Sequence, residues 1–306
     1  MKNNLLNLYG HLSLLVMVGL MMASCEKPLN DDEGEESKSN NGKESVVLRV
    51  TEFKQVPFDD ANARANAPTR AMTDLTTYCT HLNFVVFKDG KKIDSKSQLK
   101  GDSGFGEVSF SLYPDTYNIL VLAHSSTGGN PTLTNPESIQ FTNNLGYSDT
   151  FSYYGELRVS AEENNHELVL TRNVSCLRFE VKDEFPAEVK YMKFSYTGGS
   201  GVLNAVTGYG GNVNSQQEKI VDISGLSTPL TFNIYTFLRE EESVLQLTVE
   251  ALKSNRSTVF LKREFKDIPM KYRMVTEYTG YFFDAENSFS IMAETDWGDP
   301  YYKSEY

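Results

Sequence analysis

Residues 106–123 read GEVSFSLYPDTYNILVLA, and this stretch contains two strand patterns separated by a turn. In the first pattern Val108, Phe110 and Leu112 alternate with polar residues, which predicts a strand with one buried face. In the second pattern the run 117–123 is almost entirely apolar, which predicts a strand that is buried on both faces. Two such strands in succession indicate a layered β protein.

Similar patterns continue on both sides of this stretch, between polar or glycine-rich turns. Asp89-Gly90 is typical of a hairpin turn, and the run 168–181 is long enough for two strands bent near Asn173. Strands at regular spacing, with no helical period, predict an all-β fold made of β-sandwiches. The other predicted strands are 45–53, 81–87, 189–196, 229–237, 245–251, 258–265, 275–283 and 289–293.

The length of the chain and its strand pattern predict two domains. A chain of 306 residues corresponds to about two domains of average size. We place the boundary after Arg172, so that one sandwich comprises residues 46–172 and the other comprises residues 173–306. Each stretch contains enough strands for a hydrophobic core of its own.

The N-terminus has the features of a secretory signal. Lys2 is followed by an apolar core and then by the small residues Ala23 and Ser24, which directly precede Cys25. The stretch 22–25 resembles the bacterial lipobox, in which cleavage leaves the Cys as a lipidated first residue. We therefore expect a signal peptide over 1–24 and lipid on Cys25. The alternative is an ordinary signal peptide with an incidental Cys.

Residues 25–45 form an acidic stretch rich in Ser, Asn and Gly, which predicts a disordered tether. An acidic stretch behind a lipidated Cys also resembles the surface-export signal of Bacteroidetes lipoproteins, although a plain spacer explains it equally well. The whole chain has a formal net charge of -12. Such a charge repels phosphate backbones, so we expect no nucleic acid among the partners.

A segment rich in Ala and Pro, residues 55–73, follows the first predicted strand. It has no strand pattern and contains Arg64 and Arg70, so we interpret it as a long exposed loop. A cut in this loop would separate the first strand from the rest of its sandwich. The loss of that strand would leave an open sheet edge and an apolar groove, to which another chain could add a strand.

The sequence contains no motif that indicates catalysis. HExxH, CxxC and GxSxG are all missing from it, and we therefore expect no enzymatic activity, metal or cofactor. Cys79 and His81 lie two residues apart on a predicted strand, but zinc needs about four ligands and the others are not evident. Cys79 and Cys176 could form a disulfide in an oxidising compartment or could remain buried thiols.

Several of these stretches resemble the fimbrillin superfamily of Bacteroidales, the subunits of type V pili. Thr69-Arg70-Ala71 is similar to the site at which an arginine-specific protease cuts the precursors of that family. The run 168–181 is similar to the segment that closes the first domain of the family, with Arg172 before the connecting strand. The other similar stretches are 106–123, 229–237 (PLTFNIYTF), 267–283 (DIPMKYRMVTEYTGYFF) and 289–297 (FSIMAETDW).

The resemblance implies two transthyretin-like β-sandwiches in tandem and a structural role in a surface fimbrium that serves adhesion. The precursor would be an outer-membrane lipoprotein that contacts lipid through Cys25. An arginine-specific protease would cut between Arg70 and Ala71, or alternatively after Arg64, and the first strand would be lost. A strand from another fimbrial subunit would then fill the groove. That strand would replace the side chains of Val46, Leu48 and Val50.

Two questions stay open at the level of the sequence. The donor strand for the next subunit could be the stretch 289–297, or the protein could be a tip or an anchor subunit that donates no strand. The second question is whether the protein is instead a surface glycan-binding lipoprotein. The aromatic residues Trp297, Tyr301 and Tyr302 are close in sequence and could stack on sugars.

Overall fold

A computed structural model describes residues 42–54, 74–141, 147–162, 164–211, 216–284, 290–294 and 300–304. The predicted signal peptide, most of the predicted tether and the predicted loop 55–73 lie outside these residues. The described residues belong to one compact unit that spans Asn41–Tyr306. Among them, no helix has the length and apolar character that a membrane span requires.

Nearly all of the regular secondary structure in the described residues is β-strand, which confirms the predicted all-β sandwich fold. Among these residues, the one helical element is a short 3-10 turn at Leu75–Thr77. The strands are β1 (Glu44–Phe53), β2 (His81–Lys88), β3 (Lys91–Leu99), β4 (Glu107–Leu112), β5 (Asp115–His124), β6 (Ile139–Gln140), β7 (Phe151–Val159), β8 (Asn165–Arg172), β9 (Ser175–Val181), β10 (Tyr191–Thr197), β11 (Val202–Leu203), β12 (Gln217–Asp222), β13 (Leu230–Thr236), β14 (Glu242–Leu252), β15 (Val259–Lys271), β16 (Val275–Gly280), β17 (Ser290–Glu294) and β18 (Pro300–Ser304).

Strands β1 to β5, β7 and β8 form the first sandwich, in the sheet order β3-β2-β5-β7-β8-β1-β4. The sheet folds over at β7 and β8, which share only the pairs Phe151–Arg172 and Ser152–Thr171. As a result β8, β1 and β4 lie opposite β2, β5 and β7, and apolar side chains from both layers form one core. The predicted hairpin is present, with Asp89 and Gly90 both at positive φ between β2 and β3.

A second sandwich contains the sheet β12-β10-β14-β15 and the sheet β13-β9-β16-β17-β18. Strand β14 shows the alternation expected from its sequence, with Leu245, Leu247 and Val249 directed inward. These side chains pack with apolar residues of β9, β10, β13 and β15 in a separate core. The inward positions recur every second residue because one face of each strand is covered by the opposite sheet.

A third apolar cluster connects the two sandwiches. Leu120 and Leu122 on β5 point away from the first core and pack with residues of the second sandwich that include Cys176, Tyr235 and Phe237. Strand β5 is therefore buried on both faces, as its apolar run predicted. The cluster gives the two sandwiches a continuous contact beyond the connection at Asn173.

Candidate functional site

Strand β1 lies inside its layer of the first sandwich and has a neighbour on each side. It pairs antiparallel with β4 from Glu44 to Arg49 and parallel with β8 from Val47 to Phe53. Within the described part of the chain, β4 has no sheet neighbour other than β1. Removal of β1 would therefore leave two exposed sheet edges, one on β4 and one on β8, with a groove between them.

Three alternate side chains of β1 fill this groove. Val46 and Leu48 are fully buried and Val50 is 4% exposed. All three belong to the core formed with β2, β5 and β7. The sequence predicted these positions as the side chains that a replacement strand must mimic, and in the structure they occupy the interior of the sandwich.

A β-bulge then changes the phase of the strand. The register between β1 and β8 shifts between Val50 and Glu52, so that Thr51 is an extra residue. Because of this shift Glu52 is exposed and Phe53, three residues after Val50, turns into the core. The inward positions of β1 therefore follow a spacing of two, two and three residues.

Phe53 occupies an aromatic pocket at the end of the groove. Its ring is stacked on Tyr78 with a centroid distance of 4.3 Å, and it meets Phe151 edge-on at 4.8 Å. Tyr78 and Phe151 also contact each other, at 5.8 Å. Aromatic pairs in these geometries add about 0.5–1.5 kcal/mol beyond the apolar area that they bury. We name these two residues, Tyr78 and Phe151, the aromatic pocket.

A buried ion pair lies next to the aromatic pocket. The guanidinium carbon of Arg172 lies 4.9 Å from the ring centroid of Phe151. Arg172 donates from Nε and Nη2 to the two carboxylate oxygens of Asp149, at 2.8 and 2.9 Å. The sequence singled out Arg172 only through a family resemblance, and the structure places it beside the pocket that receives Phe53.

Gly106, directly before β4, leaves room for the side chain of Leu75 in the 3-10 turn. It has a φ of +101°, and a Cβ atom at this position would lie 2.2 Å from Cδ1 of Leu75. Its carbonyl oxygen accepts a hydrogen bond from the backbone N–H of Val50 at 2.9 Å. Glycine is favoured here both by the backbone conformation and by the lack of space.

The solvent face of β1 makes weaker contacts. Arg49 pairs with Glu107 on β4 at 2.6 Å, but both side chains are about half exposed. The hydroxyl groups of Ser45 and Ser109 are hydrogen-bonded across the same two strands. Exposed ion pairs typically contribute between 0 and about 1 kcal/mol, so the inward face and the main-chain bonds hold β1 in place.

The predicted processing residues lie outside the described residues. This is true of Arg64, Arg70 and Ala71 in the segment 55–73, and of Cys25, the predicted lipidation site. The residues that flank the segment are described, and close to them Phe53 contacts Tyr78. The segment therefore connects two points that lie close together at one end of the first sandwich.

A family model described as "Family of unknown function (DUF6562)" matches residues 51–306. The chain belongs to this family. The match begins inside β1 and includes the aromatic pocket. No curated protein matches the chain.

The chain is similar at low identity to solved structures from Bacteroides and Parabacteroides species. A "putative adhesin" from Bacteroides ovatus has 14% identity and a TM-score of 0.49. The match covers 78% of this chain and 88% of the adhesin. A fimbrial assembly protein from Parabacteroides distasonis has 13% identity and a TM-score of 0.45. The match covers 84% of this chain and 98% of the fimbrial assembly protein. A "putative polysaccharide binding" protein from Bacteroides thetaiotaomicron has 9% identity and a TM-score of 0.44. The match covers 83% of this chain and 98% of that protein.

Of the described histidine and cysteine residues, His124, Cys79 and Cys176 are buried, whereas His81 and His166 are half-buried. His81 and His124 are stacked at 4.7 Å, and burial lowers the pKa of His81 and lowers that of His124 to about 3. Burial also raises the pKa of the Cys79 thiol to about 12. Cys79 and Cys176 are not joined by a disulfide and belong to different apolar clusters. Within the described ranges, no group of three or more possible ligands could hold a metal.

The residues of the glycan-binding alternative are described only in part. Trp297 lies outside the described residues of the DUF6562 chain. Tyr301 and Tyr302 belong to β18, which pairs with β17 at the edge of the second sandwich. The sequence predicted no strand over 300–304, because main-chain pairing needs no apolar pattern.

Proposed function

We propose that this protein is a structural, non-catalytic subunit of a surface fimbrium that serves adhesion. In this proposal the precursor is an outer-membrane lipoprotein, anchored by lipid on Cys25. A cut by an arginine-specific protease after Arg70, or after Arg64, then separates β1 from the rest of the chain. A strand from another fimbrial subunit replaces β1 in the groove between β4 and β8.

The observation that carries this proposal is the position of β1. It is an inner strand with three buried aliphatic side chains, yet its chain continues directly into the segment that contains both arginines. A first strand at a sheet edge could be lost with little consequence. The loss of β1 would instead open the core and expose two edges, which favours the addition of a new strand.

The energetics favour exchange over simple loss of the strand. Each fully buried aliphatic side chain contributes about 1.5–3 kcal/mol relative to exposure, and Val46, Leu48 and Val50 are all buried. The main-chain groups of β4 and β8 would also lose their partners. After a cut in the segment 55–73 we therefore expect β1 to remain bound until another strand takes its place. A joint of this kind would be very slow to open.

Limited digestion of the full chain with an arginine-specific protease tests this proposal. We expect a new N-terminus at Ala71 or Ala65 by sequencing. When the other fimbrial subunits are added, we expect detergent-resistant oligomers on a gel run without boiling. The double variant Arg64→Ala, Arg70→Ala should give neither. Arg158→Ala, which changes an exposed arginine on β7, is the matched control and should behave like the wild type.

Two results would contradict the proposal. One is normal oligomers from the double variant, since they would remove the cleavage step. The other is a complete cut at Arg70 after which β1 dissociates and the protein stays monomeric at high concentration and in the presence of other subunits. Cys25→Ala should abolish lipid labelling, and unchanged labelling would remove the anchor from the proposal.

A further inference from the structure

The spacing of the inward side chains of β1 defines which strands can take its place. They follow the order Val46, Leu48, Val50 and then Phe53, because the bulge at Thr51 inserts one residue before the last position. A strand with a regular alternation would direct its next inward side chain into the groove one residue too early. It would leave the aromatic pocket without a ring.

From this geometry we infer that the groove selects a partner strand with three alternating aliphatic residues and an aromatic residue three positions after the last of them. The inference rests on the proposed function, because it assumes that the groove is vacated. The aromatic pocket supplies the selectivity. An aliphatic side chain at the last position could bury area there, but it could not stack on Tyr78 and meet Phe151 edge-on.

The pocket stays with the part of the chain that keeps the groove. Tyr78 follows the segment 55–73 and Phe151 lies on β7, so a cut in that segment removes Phe53 and leaves both of its partners. Phe151 also contacts the guanidinium group of the buried Arg172. The pocket is thus built independently of the strand that leaves, as a selective acceptor site requires.

The same spacing argues against a partner strand from residues 285–306 of a second copy. In this stretch no three alternating aliphatic residues are followed, three positions later, by an aromatic residue. The reverse order, with the aromatic residue first, does not occur there either. The occupant that fits is therefore a strand of a different subunit, and the stretch 289–297 should be a poor substitute for β1.

Peptide exchange into the cut protein tests this inference. The full chain is cut with the arginine-specific protease, the protease is inhibited, and a fluorescent peptide of residues 43–54 is added. Fluorescence anisotropy reports incorporation. We expect the wild-type peptide to enter and the Phe53→Ala peptide to bind roughly 100-fold more weakly. The Val47→Ala peptide is the matched control, because Val47 lies on the opposite, half-exposed face, and it should bind like the wild type.

A second comparison tests whether the difference in binding between the two peptides arises in the aromatic pocket. In the Tyr78→Leu protein, the wild-type and Phe53→Ala peptides should differ by much less than in the unmodified protein. Tyr113→Leu, which changes an exposed tyrosine in the β4–β5 turn, should leave the difference unchanged. A peptide of residues 285–306 should not enter.

The outcomes separate the inference from the proposed function. Equal binding of the wild-type and Phe53→Ala peptides would overturn the selectivity and leave strand exchange intact. Entry of the 285–306 peptide as readily as the 43–54 peptide would overturn the requirement for a different subunit. Failure of every peptide, with the cut verified by sequencing, would overturn strand exchange and this inference together.

Discussion

Arg172 forms a two-point hydrogen-bonded pair with Asp149 although its side chain is completely buried. The pair lies at the end of β8, directly before the connection to the second sandwich. A buried charge that loses its partner, or leaves its partner alone, is strongly unfavourable. The pair therefore ties the position of Phe151 to the stability of the whole first sandwich.

Arg172→Ala should lower the free energy of unfolding by about 3–5 kcal/mol, because it leaves Asp149 mostly buried and without its cation. Denaturant unfolding followed by fluorescence measures this change. Arg158→Ala, which breaks an exposed pair with Glu156, should change it by less than about 1 kcal/mol. Equal effects of the two substitutions would show that burial of the Arg172 pair has no energetic consequence.

Gly106→Ala should destabilise the protein more than Gly101→Ala. Both residues have a φ near +100°, so the backbone penalty is similar. A Cβ at Gly101 meets nothing within 4 Å, whereas a Cβ at Gly106 overlaps Cδ1 of Leu75. The difference between the two variants should be about 1 kcal/mol or more, since the Leu75 side chain must move. Thermal unfolding of both variants gives this difference, and identical midpoints would mean that Leu75 adapts without penalty.

His124 should make stability depend on pH below neutrality. Burial, with a smaller effect of nearby His81, lowers its pKa from 6.5 to about 3 in the folded state. Between these two values the unfolded chain binds a proton that the folded chain does not, so stability falls as the pH falls through this window. At pH 5 the loss should be about 2 kcal/mol relative to pH 7.

The variant His124→Gln isolates this effect. Its stability should fall less between pH 7 and pH 5 than that of the wild type, because no proton is taken up at this position on unfolding. His81, whose pKa is also lowered by burial, should account for part of the remaining dependence. Parallel pH profiles for the wild type and the variant would contradict the prediction.

Cys79 and Cys176 should be unreactive in the folded protein and should not form a disulfide. Both are buried, and the raised pKa of Cys79 keeps its thiol protonated at pH 8. In a Cys25→Ser chain, a thiol reagent should find no reactive groups before denaturation and two groups after it. If the two groups appeared only after a reductant was added, the cysteines would be paired.

The strands with a covered face could be predicted from the sequence because burial imposes a period of two. Strand β4 has the pattern of alternate exposed and buried residues that Val108, Phe110 and Leu112 indicated. The run over 168–181 was resolved into β8 and β9 with the bend at Asn173. In each case the apolar residues identify the face that meets another layer.

Strand β3 could not be predicted in this way. Its residues Lys91–Leu99 are almost all exposed, and within the described ranges it is an edge strand with β2 as its one sheet neighbour. Main-chain bonds hold such a strand in place, so its side chains carry no core pattern, and lysines such as Lys92 and Lys96 are typical of a protected edge. Strands β7, β12 and β18 also had no predicted counterpart.

The candidate site was predictable only in part. Val46, Leu48 and Val50 follow the alternation and were identified from it. The same alternation places Phe53 on the opposite face, and only the bulge at Thr51 turns it inward. Its partners Tyr78 and Phe151 are distant in sequence, so no local pattern could indicate the aromatic pocket.

The pairing of β1 also has a mechanical consequence. A strand in this position is hydrogen-bonded along both edges, to β4 on one side and to β8 on the other. A pulling force along its axis acts on all of these bonds at the same time, so none of them can break ahead of the rest. The bulge and the ring of Phe53 add resistance, because the ring must leave the aromatic pocket before the strand can slide. A fibre whose joints have this geometry would carry tension in shear, the direction in which paired strands resist best.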